Sequence, residues 1–394
     1  MDSKRGKCDI MMKTIGEKIV NFLKKETVLA VSVVLAVISA FWVTPGPEYF
    51  TYIDWRVLTI LLSLMIVMAG LQENGLFDQI GAFLLTKTKN TAQLTFVLVF
   101  LCFFSSMFIT NDVALVTFVP FAIITLQKCH QERLIVMVLI LQTIAANLGS
   151  MLTPIGNPHN LYLCTVAGIG VVELVGYMLP YTLISGIILA TVIFVLSARK
   201  RKILLDTCTL SFEKKEGSRK KNAGYLILFL FCLLTVLHIL PCYPVLAAVV
   251  VWTFFADRDV LGKVDYCLLI TFMGFFVFTG NMRNIPAVND MLQRLVTGRE
   301  IEIGILSSQL ISNVPATLLL SGFTENYKAL ILGVNLGGLG TLIASMASLI
   351  SYKIYAQHYN RTKGIYLMWF TVANVLFLAV LVLFAVGLKS YAAG

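Results

Sequence analysis

Long apolar runs separated by short polar stretches dominate this chain. A membrane span needs roughly 20 apolar residues, and runs near that length fall at 28–44, 54–71, 134–163, 178–198, 223–240, 243–256, 265–281, 326–356 and 364–388. The pattern predicts an all-α polytopic membrane protein of about nine full spans. Two further apolar stretches fit poorly as single spans. Residues 91–126 carry a polar centre from Ser105 to Asp112, and residues 301–324 carry one from Ser307 to Asn313. Each reads as two short helical arms meeting at a polar tip. Such a re-entrant hairpin is tolerated at membrane depth where protein or a cavity surrounds it.

The polar motifs recur in the same order in both halves. Ser105-Ser106-Met107-Phe108-Ile109-Thr110-Asn111 returns as Ser307-Ser308-Gln309-Leu310-Ile311-Ser312-Asn313. Asn147-Leu148-Gly149-Ser150, with Thr153 and Ile155, returns as Asn335-Leu336-Gly337-Gly338, with Thr341 and Ile343. Asp54-Trp55 through Gly70 returns more loosely as Asp265-Tyr266 through Gly280. Amides, hydroxyls and glycines in membrane-grade sequence are costly unless they line a cavity or bind something. Their duplication predicts two repeats, 28–198 and 243–388, with the working site between them. The span 223–240 falls outside the repeat.

Composition and charge narrow the class. Of 394 residues, 58% are hydrophobic and 13% charged, against roughly 25% charged in soluble domains. The net charge of +10 comes from basic residues gathered before Lys25 and between Arg199 and Lys221. That is a positive-inside bias rather than a nucleic-acid face, and no nucleic-acid partner is expected. It predicts a multi-pass protein of the cytoplasmic membrane, with the segment 1–27 and the linker 199–222 both cytoplasmic. With 91–126 returning to its own side, four true spans separate the two basic segments. Span 54–71 then runs inward and 265–281 outward, so the repeats are inverted. The eight cysteines are scattered without a CxxC and read as free thiols.

The chemistry lies in the breaks. A broken helix at Ser105 to Asp112 points carbonyls from one arm and N–H groups from the other at one place, favouring a cation and an anion together. The competing reading is that Thr110 and Asn111 only cap a helix. Asp112 is the only charged residue between Thr91 and Gln127. It reads either as a sodium ligand or proton carrier, or as a carboxylate stabilised by the dipole of the second arm. Asn147 to Asn160 holds two prolines, two glycines and three asparagines, which a regular helix does not accept. Its unwound carbonyls suit Na⁺, and the half-helix after Pro158 aims N–H groups at an anion. Asn335 to Ser348 is the equivalent break within 326–356; Gly337 and Gly338 also suit close helix packing. His159 reads as a hydrogen-bonded neighbour. The sequence has no GxxxxGK[ST] loop, HExxH or GxSxG, so neither ATP-driven transport nor a membrane-embedded enzyme is expected.

Thr110-Asn111-Asp112 with Pro120 downstream, then Asn147-Leu148-Gly149 to Thr153-Pro154-Ile155-Gly156-Asn157-Pro158-His159-Asn160, resembles the ion transporter superfamily. That group includes divalent anion/sodium symporters, citrate transporters, arsenite permeases and a sodium/proton antiporter branch. The resemblance covers nearly the whole chain. It implies a hairpin entering from each side, substrate and ions held between tips and broken helices, and elevator movement against a scaffold within a homodimer. In the sodium–carboxylate branch each tip carries Ser-Asn-Thr. Thr110 and Asn111 match its first two positions, as do Ser312 and Asn313, while Asp112 and Val314 replace the threonine. That departure points away from dicarboxylates and toward the arsenite-permease-like or citrate-like branches.

The resulting expectation is a secondary active transporter for a small carboxylate or oxyanion, coupled to Na⁺ or H⁺, with no other cofactor and the lipid bilayer as its setting. Thr110, Asn111, Thr153, Asn157, Ser312, Asn313 and Thr341 are the candidate substrate ligands. Asn111, Asp112, Asn147, Gly149, Gly156, Asn313, Asn335 and Gly337 are the candidate ion ligands. The alternatives are a sodium/proton antiporter using Asp112 as carrier, and an anion channel.

Overall fold

The computed structural model describes residues 26–85, 88–198 and 219–392. The basic N-terminal segment up to residue 25 and linker residues 199–218, on which the charge-based expectations rest, lie outside the described residues.

The described residues are helices joined by turns. The first half runs α1 (Thr27–Ser39), α2 (Tyr49–Tyr52), α3 (Trp55–Glu73), α4 (Leu76–Leu85), α5 (Thr91–Ser105), α6 (Asn111–Lys128), α7 (Ile135–Ser150), α8 (Pro158–Ala167) and α9 (Val171–Ala198). After α10 (Arg219–Val236) come α11 (Cys242–Ala256), α12 (Tyr266–Arg283), α13 (Pro286–Val296), α14 (Glu300–Ile311) and α15 (Asn313–Leu320). The chain closes with α16 (Tyr327–Gly337), α17 (Met346–His358) and α18 (Lys363–Ala392).

Five described helices are long and apolar enough to cross a bilayer: α3, α7 with its preceding turn, α9, α12 and α18. The other expected spans are shorter, interrupted or charged at one end. α1 stops at Ser39, before Pro45-Gly46-Pro47, a sequence that cannot continue a helix. α11 has 15 residues, about 22 Å of rise, and α10 opens on Arg219, Lys220 and Lys221. The breaks are where the polar motifs put them. Residues 91–126 divide into α5 and α6, residues 301–324 into α14 and α15, and 134–163 and 326–356 each into two helices. The hydrophobic pattern did not reveal α4 and α13, connectors too short to register as spans.

Local capping explains the repeated starts. Asp54 accepts a hydrogen bond from Val57 N–H at 3.0 Å to open α3, and Asp265 accepts one from Leu268 N–H at 3.2 Å to open α12, each supplying a partner for an orphan first-turn donor. α3 and α12 run antiparallel. Lys263, just before α12, pairs with Glu73 at the end of α3, and Asn284, just after α12, donates to the Tyr52 hydroxyl just before α3 at 2.6 Å.

Partners are exchanged between the halves. α1 packs on α12, and α11, with α10, packs on α3. Nearer the centre, α17 packs on α6 and α8 packs on α15, while α5 lies along α7 and α14 along α16. Each tip is therefore walled by its own broken helix on one side and by the other half's on the other.

Candidate functional site

The two tips are built alike. Thr110 is extended and caps α6, its Oγ1 accepting from Val113 N–H at 3.4 Å. The backbone N–H of Asn111 donates to Gly156 O at 3.1 Å, and its Oδ1 accepts from Asp112 N–H at 2.9 Å. In the second tip, Asn313 N–H donates to Ala344 O at 3.0 Å, and Oδ1 accepts from Val314 N–H at 3.0 Å. Both asparagines are 3% exposed. The tips differ in how the chain reverses. Residues 106–110 join α5 to α6, whereas Ser312 alone joins α14 to α15, at φ 73° and ψ 154°. That region is essentially reserved for glycine, and another residue held there stores strain.

The unwound loops are fastened to the tips by their threonines. Thr153 Oγ1 donates to Met107 O and accepts from Gly156 N–H at 3.1 Å. Thr341 Oγ1 donates to Gln309 O at 3.2 Å. The Gln309 side chain does more: Nε2 donates to Gly337 O and Leu339 O, both at 2.9 Å, and Oε1 accepts from Thr341 N–H at 2.8 Å. Met107 holds the matching place in the first tip and has no amide to do this.

Glycines let the broken helices press onto the hairpin arms. A Cβ on Gly149 would sit 2.1 Å from Phe103 O and 2.5 Å from Ser106 Oγ; one on Gly337 would sit 2.7 Å from Ser308 Oγ. The two broken helices also meet. Asn147 Oδ1 accepts from Asn111 Nδ2 and from Ser345 Oγ, each at 3.0 Å, and its Nδ2 faces Gly338 O and Ser348 Oγ at 3.4 Å. Asn335 Nδ2 donates to Asn160 Oδ1 at 2.7 Å. Asn160 Nδ2 in turn reaches Ser150 O and Thr153 O at 3.3 Å. His159 is fully buried beside Asn335, yet neither ring nitrogen nor Asn335 Oδ1 finds a partner at full hydrogen-bond geometry.

A cavity of about 270 Å³ opens beside the first tip. First-turn and capping residues of four helices line it: Thr110 and Asp112 for α6, Asn157 and Pro158 for α8, Asp265 for α12, and Met346 for α17. Four positive helix ends thus converge on one space. Leu61 through Gln72 of α3 close the opposite wall, with Lys263 at the edge. The remaining lining is largely aliphatic, as ligand cavities usually are.

Of the predicted substrate ligands, Thr110 and Asn157 line this cavity. Asn111, Thr153, Asn147, Gly149 and Gly156 form the layer behind it. Asn335 and Gly337 lie at the crossing of the broken helices. Ser312 and Asn313 are closed against Ala344, and Thr341 is exposed and bonded to Gln309. None of these last three lines the cavity.

Over residues 11–328 the chain matches the family described as citrate transporter. It belongs to the citrate transporter family. It is 32% identical to a Methanocaldococcus jannaschii protein named as an uncharacterized transporter, over 86% of this chain and 91% of that one. It is 29% identical to the Escherichia coli inner membrane protein YbiR over 80% and 84% of the two chains. A shorter match, 27% identical over 33% of this chain and 23% of the other, joins it to a Dictyostelium discoideum protein named for an arsB transporter. This citrate transporter family member is therefore a membrane transporter, in line with the resemblance of its motifs to the ion transporter superfamily.

Sequence reasoning missed Gln309, Ser345, Ser348, Asn160 and the cavity-lining Asp265. Gln309 had a signal, being the polar residue in the second tip where the first has Met107. Asp265 read only as a repeat marker and helix cap.

Proposed function

We propose that this chain is a secondary active transporter that carries a small carboxylate or oxyanion across the cytoplasmic membrane, coupled to Na⁺ or H⁺. The convergence of four helix N-termini on one cavity beside Asn111 carries the reading, since aligned helix dipoles favour an anion without a fixed cationic side chain. Asn147 and Gly149 hold the first tip in register, Gly337 and Gln309 do so for the second, and Asn335 joins the two broken helices through Asn160.

The two halves are inverted repeats, supported by the antiparallel α3 and α12 and by the exchanged packing of α1 with α12 and α11 with α3. The hairpins are re-entrant, and α1, α10, α11 and the broken helices complete the crossings. With both basic segments cytoplasmic, Gln72, Lys263 and Asp265 sit at the cytoplasmic edge, so the cavity opens inward. The tips and broken helices move as one body against α1, α3, α11 and α12, in an elevator within a homodimer. A sodium/proton antiporter with Asp112 as carrier is the second reading, favoured by the position of Asp112 in the cavity wall.

Uptake into proteoliposomes tests the proposal. Asn111→Ala and Asn313→Ala abolish uptake of the cognate anion while the amount of folded protein holds. Normal uptake by both variants overturns the assignment.

A further inference from the structure

The protein's own hydrogen bonds already engage many oxygens of the two tips. Asn111 Oδ1 accepts from Asp112 N–H, Asn147 Oδ1 from Asn111 and Ser345, Gly156 O from Asn111 N–H, and Gly337 O from Gln309. The cavity, by contrast, is faced by acceptors that the protein leaves open. Among the described residues, no hydrogen bond or ion pair satisfies the Asp112 carboxylate. Asp265, from the other half, lines the same cavity; one of its oxygens caps α12 and it joins no described ion pair. Asn157 is 3% exposed, makes no capping bond with its side chain, and also lines the cavity. The other charged groups nearby are Lys263, which is bound to Glu73, and Glu26, which shares a smaller cavity with Asp265.

Two carboxylates and four helix N-termini in one space oppose each other. The N-termini attract an anion, and the carboxylates repel it. A cation held between the carboxylates removes the conflict. We infer that Asp112, Asp265 and Asn157 form a cation site of this inward-open arrangement, for a proton or Na⁺, and that its occupation is what admits the anion from this side. This rests on the anion-transport reading, but its test needs no anion, so the two can fail separately.

The full-length protein, purified in detergent, is unfolded thermally in choline chloride at alkaline pH, in sodium chloride at the same pH, and in choline chloride at mildly acidic pH. The expected result is a rise in midpoint with Na⁺ or with acid, which names the cation. That rise falls by at least half in both Asp112→Asn and Asp265→Asn, and persists in Asp290→Asn, an exposed carboxylate on α13 away from the cavity. Should Asp265→Asn fail to fold, Asp265→Ser, which retains a capping oxygen, takes its place. The inference is overturned if the wild type responds to neither cation, or if either cavity variant keeps the full response.

Discussion

Asn335 donates through Nδ2 to Oδ1 of Asn160 across 2.7 Å, tying the broken helix of one half to that of the other. Asn160 simultaneously satisfies carbonyls freed by the unwinding after Ser150. One amide therefore both holds the break open and joins the halves. A double-mutant cycle of Asn160→Ala and Asn335→Ala, read by unfolding in mixed detergent, is expected to give a coupling of roughly 1–2 kcal/mol. Simple additivity would show that the bond does not join them energetically.

The glycines at the hairpin arms should not be equally tolerant. At Gly149 an added methyl would sit 2.1 Å from the backbone carbonyl of Phe103, which cannot move without shifting α5; at Gly337 the nearest atoms are the looser Ser308 Oγ and Cβ at 2.7 and 2.8 Å, with the Ile305 backbone at 3.0 Å. Overpacking costs about 1–3 kcal/mol. Gly149→Ala is expected at or above the top of that range and Gly337→Ala lower, as measured by thermal unfolding of both variants.

Ser312 stores strain that a glycine would release. Ser312→Gly is expected to raise the unfolding midpoint, with a gain of about 1 kcal/mol after the entropic cost of glycine. Ser312→Ala keeps the unfavourable φ and should not. Equal midpoints for the two variants would place the strain elsewhere.

Gln309 closes the second loop and has no counterpart in the first. Gln309→Leu frees Gly337 O, Leu339 O and Thr341 N–H together. Amide hydrogen exchange should speed up across 338–344 and stay unchanged across 147–157. Faster exchange in both loops would mean that Gln309 supports the whole core rather than one loop.

Much of this arrangement was legible in the chain. Polar motifs inside apolar runs marked both tips and both broken helices, because desolvated amides and clustered prolines and glycines are too costly to occur there without a reason. What was not legible depended on partners distant in sequence. Asp265 looks like an ordinary N-cap, and only the antiparallel packing of α12 beside α3 brings it to the cavity of Asp112. Ser345 and Ser348 gain meaning only because α17 crosses to the first tip. The length of α1 was overestimated because hydropathy measures how apolar a run is, not where its helix starts and stops.

Thermal unfolding of the purified protein against a panel of small carboxylates and oxyanions tests the central claim most directly. A ligand at a hundred times its dissociation constant stabilises by roughly 2.7 kcal/mol, a visible rise in midpoint. The expected result is a rise with one anion that disappears in Asn111→Ala. A rise that survives Asn111→Ala, or a response to Na⁺ and pH with none to any anion, would contradict an anion site at the first tip.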